Sequence, residues 1–161
     1  MAGGRMYFIV VIGLTLVAPM GAAIAEAHGP AGADFGKWYV FCAVGIRLLL
    51  AGARQALQPR FTLKQIFEID AEDALQIVRE LGFANLAMGV LGLTALLDPK
   101  LTFAGALAGG IFYGLAGLLH VLSKEKRNAT RTTAMLTDLL VFAVLAYYVA
   151  VTAPALLPLH A

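Results

Sequence analysis

Five apolar stretches, each about twenty residues long, leave this chain few folds to choose from. They run over residues 6–25, 37–57, 79–97, 101–122 and 134–153. A spanning helix needs about 20 mostly apolar residues. In hydrocarbon every backbone polar group must be paired within the protein, which restricts spanning structures to helices and closed barrels. These runs are too long for barrel strands. The composition agrees: 60% of the 161 residues are hydrophobic, whereas soluble domains hold about 45–50%. Mean hydropathy is +0.81. The surplus apolar surface has to face lipid. The expected fold is all-α, an integral membrane bundle of five transmembrane helices forming a single domain over residues 1–161. The three-residue turn Asp98-Pro99-Lys100 makes the third and fourth helices antiparallel neighbours.

The first stretch admits two readings. It has a basic start, an apolar core and an Ala23-Ile24-Ala25 suited to a signal peptidase, so it is either a cleaved leader or a retained helix. Its length favours a helix. Cleavage would leave four helices in the same orientation.

Charge sets that orientation. With the N-terminus inside, the cytoplasmic ends collect Arg5, Arg54, Arg60, Lys64, Lys124, Lys126, Arg127 and Arg131, out of 12 basic residues in all. The outer side keeps Lys37 and Lys100. The positive-inside rule then places the N-terminus in the cytoplasm and the C-terminus outside, in a bacterial inner membrane. Trp38, Tyr39, Tyr147 and Tyr148 fall where outer interfacial aromatics are expected. A formal net charge of +2 is too small to suggest a nucleic-acid partner. The lone Cys42 rules out an internal disulfide and any multi-cysteine metal site. Asn128-Ala129-Thr130 matches a glycosylation acceptor, but its position in the most basic loop marks it as a chance match.

Between the second and third helices, residues 60–78 carry apolar side chains at near-helical spacing, which predicts an amphipathic cytoplasmic segment. Asp70 is expected to cap a helix starting near Ala71. The acids Glu68, Asp70, Glu72 and Asp73 form a patch read as a solvated surface pairing loosely with the basic loop 124–131 rather than as a metal site.

Polar residues inside the spans are the functional signal. Each charge near mid-membrane costs about 2.5–3.5 kcal/mol on insertion scales and is usually paired or lines a cavity. Arg47, Glu80, Asn85, His120 and Asp138 come from four helices. At about 1.5 Å of rise per residue, all fall in the cytoplasmic half. The expected pairings are Arg47 with Glu80 or Asp138, and His120 with the remaining carboxylate, with Asn85 bridging neighbours. Two readings stay open: a structural lock fixing helix order, or a ligand or proton-relay pocket. Glycines mark the packing faces: Gly82, Gly89 and Gly92 on the third helix, and Gly105, Gly109, Gly110, Gly114 and Gly117 on the fourth. Small residues let helix backbones approach closely in lipid. No nucleotide loop, serine triad or zinc motif is present. A bis-histidine haem is unsupported, because His28 and His160 lie outside the spans.

The run "RELGFANLAMGVLGL", a glycine-rich helix ending in His120, and Asp138 within "TDLLVF" together resemble a family of small bacterial membrane proteins catalogued only as a domain of unknown function. The matching positions are Glu80, Gly82, Phe83, Ala84, Asn85, Leu86, Gly89, Gly92, His120 and Asp138. The segment before the third helix departs from that family, which has a short Gly-Trp and Ser-Pro-Phe turn there. The resemblance implies the five-helix layout and the polar cluster but no activity. In bundle layout the chain also resembles the DoxX-like four-helix proteins, some tied to quinone-linked oxidation.

Three functions fit these residues. The first is a non-enzymatic binding or accessory protein, with a membrane-protein partner, a second copy of itself or a lipid as its ligand. The second is a small proton-coupled transporter using Glu80, His120 and Asp138. The third is a redox accessory that binds quinone.

Overall fold

The computed structural model describes residues 2–26, 33–66, 70–123 and 128–156. Five helices are long and apolar enough to cross a membrane. Helix α1 covers residues 2–25, with a π-helical stretch at Gly13–Val17. Helix α2 covers 33–57, with a longer π stretch at Val40–Arg47. A short α3, residues 59–66, follows at once. Helix α4 covers 72–96, α5 is Pro99–Leu122 and α6 is Ala129–Leu156. No strand occurs among the described residues.

Helices α4 and α6 begin furthest ahead of their apolar stretches, and a cap explains one of them. Asn128 accepts a hydrogen bond from the Arg131 backbone N–H at 2.8 Å, so α6 starts at Ala129 and absorbs part of the expected basic loop. This is an N-cap role for the asparagine of the glycosylation-like triplet. The early start of α4 at Glu72 has a different origin. Asp70 does not cap it: the preceding Ala71 is extended and makes no side-chain cap bond. Asp70 instead pairs with Lys64 at 2.8 Å, and Glu72 pairs with Arg60 at 2.8 Å. Asp70 and Glu72 therefore each find a base just upstream in their own connection. Glu68 and residues 124–127 of the basic loop lie outside the described residues.

Glycine sets the helix spacing. Along the α2–α4 seam, a Cβ on Gly52 would lie 2.6 Å from the Gly82 carbonyl oxygen. One on Gly82 would lie 2.7 Å from the Ala56 nitrogen, and one on Gly89 would lie 2.7 Å from the Leu49 nitrogen. Gly45 meets Gly92 at the far end of the same seam. These neighbours are backbone atoms with no rotamer to turn away, so the seam requires glycine. Helix α5 uses two glycine faces. Gly105 and Gly109 receive Val40 and Val44 of α2, while Gly114 and Gly117 receive Phe142 and Leu139 of α6.

The core follows from this packing. Tyr39, Val40, Ala43, Val44 and Leu48 of α2 meet Ala95, Ala106, Tyr113, Val141, Leu145 and Tyr148. Of the spans, α2 buries the largest share of its length. Tyr39 and Tyr148 are thus core residues rather than interfacial ones, and Tyr148 lies across Gly36. Tyr147 stays exposed. Large apolar side chains such as Ile9, Val17, Phe83, Ile111 and Leu119 cover the outside, as a lipid-facing surface requires. Where α1 gives way to α2, Glu26 joins the two helices by accepting from Lys37 and from the Trp38 indole.

Candidate functional site

Arg47 closes the π stretch of α2. Such wide turns are rare and recur at functional sites. Its Nη2 donates to Asp138 Oδ1 of α6 at 3.0 Å, and the two side chains are 14% and 7% exposed. The guanidinium carbon stands 5.1 Å from the centre of the Tyr113 ring on α5, within cation–π range. Tyr113 is itself anchored, because its hydroxyl donates to the Ala43 carbonyl inside the π stretch at 2.6 Å. A carboxylate and an aromatic face on two other helices thus hold one buried cation.

His120 stands on the other side of the same carboxylate, with Nε2 at 3.8 Å from Asp138 Oδ2. That is too long for a hydrogen bond and short enough for an ion pair when the imidazole is protonated. Asn85 is 3% exposed. It donates from Nδ2 to Gln55 Oε1 of α2 at 2.7 Å, so it ties α4 to α2 rather than bridging the ion pair. Glu80 is not part of the cluster. It is exposed on α4 and accepts from Gln76 one turn earlier at 3.0 Å. Asp138 therefore takes both partners that had been divided between two carboxylates.

These groups line one cavity of about 640 Å³, whose wall includes Arg47, Gln55, Asn85, Tyr113, His120 and Asp138. It reaches the α5–α6 connection, where Ser123 and Arg131 join the wall. The volume lies within the range of about 300–1,000 Å³ usual for small-molecule sites. Among the described residues, two buried side-chain atoms lack a hydrogen-bond partner, Arg47 Nη1 and Asn85 Oδ1. Both residues belong to this cavity. Leaving a buried polar atom unpaired costs about 1–3 kcal/mol, so both side chains are held in place at a cost. Among the described residues, no three His, Cys, Asp or Glu side chains converge as a metal would need.

Gln55, Tyr113 and Tyr7 join the site without having been singled out by sequence. Gln55 was the most legible of the three, as an amide within an apolar span. The two tyrosines look like any interfacial or core aromatic until their helices are placed. Among the glycines, Gly45 and Gly52 of α2 likewise emerge only as partners of Gly92 and Gly82.

A family model described as a family of unknown function (DUF6790) matches residues 5–155. No curated protein matches the chain. No solved structure matches it.

Proposed function

Since the chain belongs to the DUF6790 family, whose description assigns no activity, we propose from the site itself a non-enzymatic membrane protein that binds a small lipid-like ligand. One observation carries this reading: Arg47 and Asn85, each with a buried polar atom left without a partner, line the same cavity. A ligand with a polar head offers both side chains a partner once they turn toward it. The distribution of Arg and Lys supports a cytoplasmic opening, with the N-terminus inside and the C-terminus outside, in a bacterial inner membrane.

The test is gentle extraction from native membranes at native abundance, with mass spectrometry of everything that stays bound. A single class of amphiphile retained by the wild type, and depleted about tenfold or more in Asn85→Leu, is expected from the loss of a buried polar partner. A folded wild-type protein that carries no organic molecule would sink the reading. A stoichiometric protein partner, or a second copy covering the cavity, would replace it with an accessory-subunit role. Bound quinone would turn it toward redox work.

A second reading, a proton-coupled carrier, draws on the His120–Asp138 distance of 3.8 Å. An imidazole and a carboxylate this close can exchange a proton through one intervening group. Glu80, paired with Gln76 away from the cavity, takes no part in it.

A further inference from the structure

The titratable side chains on the cavity wall come from four helices: Tyr7 of α1, Arg47 of α2, Tyr113 and His120 of α5, and Arg131 and Asp138 of α6. Helix α4 contributes Leu81 and Asn85, neither of which titrates. Of these types, histidine is the one whose charge ordinarily changes between about pH 5 and 8. His120 also stands where a proton can reach it. Its side chain is 36% exposed, against 7% for Asp138. It lies on the last turn of α5, and the cavity extends past it to Ser123 and Thr130 at the α5–α6 connection.

Its partner is in place and not engaged. Arg47 holds Asp138 through Oδ1 at 3.0 Å, while the other oxygen, Oδ2, is 3.8 Å from His120 Nε2. A charge-assisted N–H···O bond is about 2.7–2.9 Å long, so the gap is too wide by about 1 Å. A neutral ring gains little by closing it, because Arg47 already balances the carboxylate. An imidazolium adds a charge and a second N–H donor. Asp138 and the C-terminal end of the α5 dipole favour that charge, and Arg47 and Arg131 oppose it. Because the two cations address different oxygens, His120 can engage Asp138 without displacing Arg47.

We propose that His120 is a pH-operated latch on the cavity. Once protonated, it donates to Asp138 Oδ2, ties the end of α5 to α6 and narrows the passage from the α5–α6 connection to the deeper wall around Ala116 and Tyr113. Acid closes the latch and alkali releases it. As regulation of the ligand site it rests on the binding reading above, whereas the latch contact itself needs no ligand.

The experiment measures access to the deep wall in the full-length protein, reconstituted in phosphatidylcholine vesicles. Ala116→Cys places a thiol on the cavity wall one helical turn inward of His120. Its reaction with iodoacetamide, an uncharged reagent, is followed by mass spectrometry at about pH 5.5 and about pH 8.5, on either side of histidine's usual range. At each pH the rate is compared with that of the same protein carrying His120→Gln, which cancels the thiol's own pH dependence. The buried Cys42 stays in place, and its reaction reports unfolding. The two rates should agree at the higher pH. At the lower pH the protein that keeps His120 should react about tenfold more slowly, the scale of one hydrogen bond to a charged group. Asp138→Asn should remove most of that difference. Phe112→Cys, a further turn inward on the same wall, gives the same comparison should Ala116→Cys expose Cys42. Rates that agree at both pH values, or slowing at the higher pH instead, would overturn the latch and leave the ligand reading standing. Slowing that survives Asp138→Asn in full would overturn the Asp138 contact and the latch with it. Protein that carries no organic molecule yet slows in acid would do the reverse, removing the ligand and keeping the latch.

Discussion

The Arg47–Asp138 pair allows a structural lock and a ligand site to be told apart by a double-mutant cycle. Asp138→Leu removes the carboxylate to which Arg47 Nη2 donates and leaves a guanidinium that is 14% exposed with its Nη1 already lacking a partner. Breaking a buried ion pair from one side costs about 3–5 kcal/mol. Arg47→Met is milder, because an uncompensated carboxylate can take up a proton and become neutral. Replacing both partners with apolar side chains removes the desolvation penalty together with the attraction. The double variant should fall within about 1 kcal/mol of the wild type. The implied coupling exceeds about 2 kcal/mol by the same reasoning. An ordinary interhelical hydrogen bond in lipid supplies about 0.6 kcal/mol, so a coupling that large would have to come from the charges. The assay is reversible unfolding in mild detergent, followed by the fluorescence of Trp38, the only tryptophan, with ligand retention measured on the same samples. The double variant should fold and retain no ligand. If it is as unstable as Asp138→Leu alone, the pair is not energetically separable from Tyr113 and His120, and the reasoning fails. If it folds and keeps its ligand, the cluster is a lock and the binding site lies elsewhere.

Two further predictions test the packing and the surface. Gly89→Ala would set a Cβ 2.7 Å from the Leu49 nitrogen, whereas the nearest atom to a Cβ on Gly110 is Leu145 Cβ at 3.6 Å, an ordinary contact. The first substitution should destabilise by about 1–3 kcal/mol through overpacking. The second should be neutral or slightly stabilising, since alanine is the better helix former. Equal thermal stability of the two variants would contradict the close α2–α4 seam. At the surface, the hydrogen bond from Lys64 and then its charge hold Asp70 below the usual carboxylate range, and the same two causes raise Lys64. The pair's contribution is therefore lost on acidification through the lowered Asp70 value and on alkalinisation through the raised Lys64 value, and is constant between. Both side chains are exposed, where such pairs contribute little. Asp70→Asn should unfold indistinguishably from the wild type at neutral pH, and a clear loss of stability would show that the segment before α4 is more buried than it stands here.

How much of the site could be read beforehand turns on two helical coordinates, depth and azimuth. Depth comes from counting at 1.5 Å per residue, and it brought five polar residues into one half of the membrane. Azimuth, about 100° per residue, decides which of them meet, and three of the helices carry their own reference in their glycines and core residues. On α4, Glu80 lies nine residues from Gly89, about 180° away, and so faces away from the α2 seam. Asn85 lies four residues from Gly89, about 40° away, on the seam side. On α5, His120 lies seven residues from Tyr113, about 20° off the same line, and on α6 Asp138 lies seven residues from Leu145 with the same offset. Both Tyr113 and Leu145 are core residues. The glycine stripe of α4 thus contained enough to drop Glu80 and keep Asn85, whereas Tyr113 and Leu145, the references for His120 and Asp138, are known as core residues only once the helices are packed. Arg47 was different in kind. It ends an eight-residue π stretch, Val40–Arg47, whose turns are wider than those of an α-helix, so no azimuth carried along α2 from Gly45 or Gly52 at α-helical spacing predicts where its guanidinium points. The residue whose direction sequence could not supply is also the one that pairs with Asp138, and its placement depends on backbone geometry that hydropathy does not encode. Where a polar residue follows an irregular turn in a spanning helix, depth can be predicted but partners cannot, and the partners are what distinguish a lock from a binding site.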